Sequence, residues 1–203
     1  MAQGPRYSVA FRRRREGRTD YHRRRNLLKG GLPRLVVRGS NRNMSVQFVS
    51  YEPTGDRIIG SATSLELGRF GWDRAAGNLP GAYLVGLLAG KRMSGKLPDG
   101  VVLDLGRTRP VAGGRYFAAL KGVLDAGIDV PHDEDVLPPE ERLTGGHIDS
   151  ATLPALVEKV KTKIVADPFS GRKPTIAPKG KRKGADDSND LESLLSKRKS
   201  QEE

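Results

Sequence analysis

The chain has 203 residues, 36% hydrophobic and 5% aromatic, which suits one domain with a modest core and extensions and leaves little for a second full domain. Its formal net charge of +12 is unevenly placed, since residues 1–43 carry 13 Lys/Arg against 2 Asp/Glu while residues 129–170 carry 4 against 9. The absence of cysteine excludes disulfides and thiolate metal sites and fits a cytoplasmic protein.

So concentrated a positive charge implies a polyanion or an anionic membrane surface. The membrane is disfavoured by pattern. The basic stretch lacks the apolar face of an interfacial helix, and the longest apolar run, "GAYLVGLLAG" at 81–90, is about half of the roughly 20 residues that a spanning helix requires. An arginine cluster follows the N-terminus where a secretory signal would be apolar.

Residues 1–18 show no periodicity and read as an extended basic arm. Within "VAFRRRREGRTDYHRRRN", 9–26, eight arginines face one Glu and one Asp, with Phe11, Tyr21 and His22 among them. A short helix is expected from the N-cap Thr19, with Asp20 in its first turn, to the stop at Gly30 and Gly31. It would turn Leu27 and Leu28 toward the body.

Three strand signals follow. "PRLVVRGS" at 33–40, "MSVQFVSY" at 44–51 and "DRIIGSATS" at 56–64, joined by the turns "SNRN" and "EPTGD", predict an antiparallel meander. The period then changes. "NLPGAYLVGLLAGKRMSGK", 78–96, is apolar or small almost all round and predicts a buried helix in which Gly86 and Gly90 admit another backbone.

"GVVLDLG", 100–106, reads as a strand covered on both faces. "GRYFAALKGVLDAG", 114–127, reads as a helix burying Tyr116, Phe117, Leu120, Val123 and Leu124. Strand, crossover helix, strand and helix together give an α/β fold with a small mixed sheet, the crossover being right-handed. After an acidic, Pro-bearing loop region, Leu153, Leu156, Val157, Val160 and Ile164 predict a short amphipathic helix. The expected division is an arm at 1–18, a globular domain at 19–149, that helix within 150–169, and a Lys-rich disordered tail at 170–203, in which "LESLLSKRK" becomes helical only when bound.

No catalytic constellation emerges. "GLLAGKR", 86–92, has three residues between its glycines where a phosphate loop has four, Arg92 where that loop has Ser or Thr, and a place inside a helix. "HDED", 132–135, is a solvated acidic run with the other two histidines distant from it in sequence. "KGKRK", 179–183, is too short to carry a nuclear-import reading. No cofactor, metal or small-molecule substrate is implied.

The arm carries the functional signal. Guanidinium groups bind phosphate bidentately, stack on exposed bases and stay charged at physiological pH. Phe11, Tyr21 and His22 add stacking surfaces suited to unpaired RNA bases. The turn "RGSNRN" projects Arg38, Ser40, Asn41, Arg42 and Asn43. "GRTRPVAGGR", 106–115, sets Arg107, Arg109 and Arg115 around Gly113 and Gly114, where helix N-terminal amides can accept a phosphate.

The segments "GPRYSVAFRRRREGRTDYHRRRNLLKGGLPRLVVRGSN", "FGWDRAAGNLPGAYLVGLLAGKRM" and "AALKGVLDAGIDVPHDEDVLP" closely resemble, in order and spacing, the archaeal form of the universal large-subunit ribosomal protein eighteen family. The match covers residues 1–149. The resemblance implies a non-catalytic α/β domain, cytoplasmic in the large ribosomal subunit, with a basic extension that binds 5S rRNA. It would help attach that RNA to 23S rRNA in the central protuberance, beside neighbouring ribosomal proteins. Carried over by motif, Arg12, Arg13, Arg14, Arg15, Arg18, Tyr21, His22, Arg23, Arg24 and Arg25 belong to the RNA-contacting arm, which the expected contact set extends back to Arg6. Arg34, Arg38, Ser40, Asn41, Arg42 and Asn43 form the strand and hairpin surface. A transient RNA chaperone or assembly factor is the alternative that shares the same arm, and a phosphate-handling enzyme the more distant one.

Overall fold

β-branched stretches that alternate in polarity become strands, and the small, apolar "LPGAYLVGLLAGKRM" becomes the helix against which they pack. The computed structural model describes residues 4–97, 100–149 and 151–170, so most of the expected tail, including "KGKRK" and "LESLLSKRK", lies outside the described residues.

Strands β1 (Arg34–Gly39), β2 (Met44–Ser50) and β3 (Arg57–Thr63) form the antiparallel meander, and β4 (Val102–Asp104) pairs parallel to β1, giving the order β3-β2-β1-β4. Alternation sorts the side chains. Leu35 and Val37 of β1 lie opposite Phe48 and Val46 of β2 on the core face, while Arg34, Val36 and Arg38 lie opposite Val49, Gln47 and Ser45 on the other. Asp104 pairs with Val36 and so joins that second face. The expected strand at 100–106 is therefore three residues long and sits at the sheet edge, where Asp104 interrupts the apolar run; it is not an interior strand.

Helix α3 (Leu79–Met93) is buried along nearly its whole length, capped by Asn78, whose side chain accepts from the Gly81 amide at 2.9 Å. Helix α4 (Arg115–Asp125) packs on it through glycines. A methyl on Gly86 would strike the carbonyl of Ala119, and one on Gly122 would strike the Tyr83 carbonyl and come 2.6 Å from the Leu87 nitrogen. The expected close approach at Gly86 is thus reciprocated by a glycine on the partner helix.

Helix α5 (Glu140–Thr144) follows, and α6 (Leu153–Ala166) adds Leu153, Val157, Val160 and Ile164 to the same core, each burial worth roughly 1.5–3 kcal/mol. "GLLAGKR" lies within α3, and its Arg92 is buried. Arg92 pairs with Glu66 at 2.7 Å and donates to the carbonyls of Ser61 and Pro168, each at 2.9 Å, tying β3 to the 3-10 turn Ser64–Phe70 and to the chain after α6. Among the described residues no helix is long and apolar enough to cross a membrane, and no three His, Asp or Glu side chains are grouped to hold a metal.

Because backbone meets backbone at the α3–α4 contact, the added methyl of Gly86→Ala cannot be relieved by a side chain swinging away. Overpacking of this kind costs about 1–3 kcal/mol, against the roughly 0.5–1 kcal/mol that alanine gains over glycine in a helix. Thermal unfolding should show Gly86→Ala and Gly122→Ala melting several degrees below wild type. Gly30→Ala, whose methyl would meet nothing within 4 Å, should melt unchanged.

Candidate nucleic-acid interface

The basic segment is folded by its few acidic residues. Asp20 is the N-cap of helix α2 (Tyr21–Leu28), accepting from the amides of His22 at 3.0 Å and Arg23 at 3.1 Å, so the cap lies one residue later than Thr19. Chiefly the Arg23 amide, partly offset by desolvation and then helped by the His22 amide, holds this exposed carboxyl below its ordinary range. Before it, Arg12–Arg15 form a single helical turn, α1, where an extended arm was expected. Glu16 closes that turn, lying 3.3 Å from Arg12 Nε and 3.0 Å from Arg18 Nε, and Arg13 Nε donates to Thr19 Oγ1 at 2.9 Å.

Two further carboxylates connect the sheet with α2. Asp104 receives Arg34 Nη1 at 2.8 Å and Arg38 Nη2 at 3.1 Å, and its Oδ1 also accepts the Gly106 amide at 2.7 Å. Asp56 receives Arg34 Nη2 at 2.7 Å and, on its two oxygens, Arg24 Nη2 at 2.9 and 2.8 Å. Burial pushes the Asp104 carboxyl up, but the Arg38 charge, the Gly106 amide and the two guanidinium hydrogen bonds outweigh it and hold Asp104 below the ordinary range. Arg23 Nη1 donates to the Gly106 carbonyl at 3.2 Å. Between arm, α2 and sheet these contacts leave a cleft of about 340 Å³, lined by Arg13, Arg18, Arg24, Arg38 and Arg107 among others.

The expected contact residues divide on this geometry. Arg34 is only 3% exposed and both of its terminal nitrogens are engaged with aspartates, so it organises the sheet face from within. Arg115 turns inward too, donating to the carbonyls of Ser40 at 2.7 Å and Gly77 at 3.3 Å. The amides of Gly113 and Gly114 are bonded to the Val136 and Val111 carbonyls, so these two are not free to accept a phosphate beside Arg115.

In the hairpin turn, the Ser40 hydroxyl accepts from the Asn43 amide, and Asn43 Oδ1 accepts from the Ser64 hydroxyl, while Ser40, Asn41, Arg42 and Asn43 are all exposed. Arg38, 44% exposed along its side chain, stays at the edge of the cleft. Arg6, Arg14, Arg15, His22, Arg25, Arg107 and Arg109 are exposed, and among the described residues none has a carboxylate within 4 Å. Phe11 and Tyr21 stand beside each other, ring centroids 5.9 Å apart and tilted by 51°.

Sequence reasoning missed Asp56 and Asp104, the residues that orient three of the arginines. A signal existed for one of them, since a lone Asp inside "GVVLDLG" requires a buried cation.

A family model described as ribosomal large subunit proteins 60S L5, and 50S L18 matches residues 5–100. The chain is 47% identical to large ribosomal subunit protein uL18 of Methanococcoides burtonii, over 82% of this chain and 99% of the relative. It is 53% identical to the protein of the same name from Natronomonas pharaonis, over 73% and 80% of the two chains, and 53% identical to that of Caldivirga maquilingensis, over 73% and 72%.

Removing one partner of a buried ion pair costs about 3–5 kcal/mol. Asp104→Ala should fall near the lower end, because Asp56 still faces Arg34, and urea unfolding measures it. The sign of the pH dependence follows from carboxyls held low. Burial raises Glu66 as well, yet Arg92 and the Thr63 amide hold it below its ordinary value. Stability contributed by Glu66 and Asp104 is therefore complete above their ordinary values of 4.5 and 3.8 and is lost as pH falls through the lower native ones. Acid unfolding followed by circular dichroism should show this loss below about pH 4, and Asp104→Asn should lessen it.

Proposed function

Because the chain belongs to the family of large-subunit ribosomal proteins, one of structural ribosomal constituents rather than enzymes, we propose that it binds 5S rRNA and helps attach it to 23S rRNA in the central protuberance. It would do so in the cytoplasm, as a resident of the large subunit beside other ribosomal proteins. The observation that supports this reading most is the outward set of guanidinium groups on the arm and α2, among them Arg14, Arg15 and Arg25, which have no carboxylate within 4 Å among the described residues, beside the Phe11 and Tyr21 rings.

The mechanism is electrostatic and structural. Arginines of α1 and α2 neutralise phosphates and release their counterions, a gain that grows with the local density of the polyanion. Arg24, held on Asp56 through Nη2, presents Nε and Nη1 from a fixed position, so less side-chain freedom is lost on binding than from a flexible tail, while Arg38, whose terminal nitrogens are engaged by Asp104 and the Val37 carbonyl, contributes its charge at the cleft edge. Aromatic rings contribute stacking on unpaired bases that is insensitive to salt.

Deleting residues 1–18 removes Arg6, Arg12, Arg13, Arg14, Arg15 and Arg18 but no residue of the buried core. Filter binding to 5S rRNA transcript across a salt series should show weaker binding and a shallower slope, reduced by about 0.7–0.9 for each phosphate contact removed. The melting transition should persist. Affinity equal to that of the full chain would contradict the proposal.

A further inference from the structure

One groove on this face was not foreseen from the sequence. It is lined by Tyr21, Arg24, Arg25, Leu28 and Lys29 of α2 and its C-cap and by Tyr51, just past the end of β2. Tyr51 is 53% exposed and Tyr21 37%. The cations beside them are not equivalent. Arg24 is held by Asp56, while Arg25 and Lys29 have no carboxylate within 4 Å among the described residues.

Phenol rings bordered by unanswered cations complement a ligand that carries flat, apolar faces and regularly spaced negative charge. An unpaired stretch of RNA has both, whereas a paired duplex hides its base faces within the stack. Charge complementarity decides for RNA over an apolar protein segment, because the lining sets Arg24, Arg25 and Lys29 among the two aromatic rings and Leu28.

Resting on the reading above, we infer that this groove takes an unpaired segment of the bound rRNA, with a base stacked on Tyr51 and phosphates met by Lys29 and Arg25. Tyr51 and Lys29 thereby extend the RNA surface from the arm across α2 to the far end of β2. The two contributions are separable, because stacking is independent of salt and phosphate neutralisation is not.

The experiment measures 5S rRNA affinity of full-chain variants over a salt series, with melting temperatures recorded in parallel. Tyr51→Ala should weaken binding by roughly 5- to 150-fold with an unchanged salt slope. Tyr51→Phe should bind like wild type. Tyr51→Leu, which keeps apolar bulk and guards against a folding defect, should lose affinity as the alanine variant does. Lys29→Ala should reduce the slope by about 0.7–0.9.

Tyr51→Ala and Tyr51→Leu variants that bind as wild type overturn the inference while leaving the proposed function standing, and that is also the result expected if the groove serves a protein. A Tyr51→Leu loss accompanied by a changed slope, or a Lys29→Ala slope equal to wild type, overturns it as well. A wild-type chain that does not bind 5S rRNA removes the reading and the inference together.

Discussion

Crowded guanidinium groups repel one another, and Asp56 and Asp104 are what allow three of them to share one face of the sheet. Arg34 lies between the two aspartates, Arg38 completes Asp104, and Arg24 brings helix α2 to Asp56. Two negative charges thus connect β1, the start of β3, the edge strand β4 and the basic helix. Their effect is selective. They fix the orientation of the sheet face without cancelling its charge, because Arg14, Arg15, Arg25 and Arg107 remain exposed around them. A surface built this way meets a polyanion with part of its ordering already done.

The opposite face of the sheet has a different logic. There the chain is stabilised by apolar burial and by glycines that let α3 and α4 approach until backbone touches backbone. Cost and benefit are separated in space: electrostatic repulsion gathers on the α2 side, and burial accumulates on the α3 side. Among the described residues Arg92 is the one buried cation of the second region, answered by Glu66 and by two carbonyls, so it joins elements and adds nothing to the basic surface.

Much of this was legible in the chain. The meander followed from alternation in "MSVQFVSY" and from its flanking turns, α3 from apolar residues all round, and a close backbone approach to α3, though not its partner, from Gly86 four residues before Gly90. The arm was legible as a charge cluster, and so was its class of partner. What escaped is what depends on tertiary pairing. Arginines look alike in sequence, so the buried Arg34 and inward Arg115 could not be told from the outward Arg25 until the strand register placed Asp104 and the turn at Ser40 beside them. Asp20 rather than Thr19 became the cap because its side chain reached two amides at once. Gly113 and Gly114 were read as free donors, yet neighbouring carbonyls already occupied them. Tyr51 was read as the tail of a strand, and only the position of α2 gave it a basic setting.

A charge cluster with its own internal carboxylates, half engaged and half outward, makes sense only if phosphate completes it. The direct test is the density of the arm and α2 in a native large subunit containing this chain, at a resolution that shows guanidinium groups. The account predicts residues 12–25 ordered against 5S rRNA, with Arg14, Arg15 and Arg25 within hydrogen-bonding reach of phosphate oxygens while Arg24 and Arg34 stay on Asp56. An ordered subunit in which these residues face open solvent would contradict it.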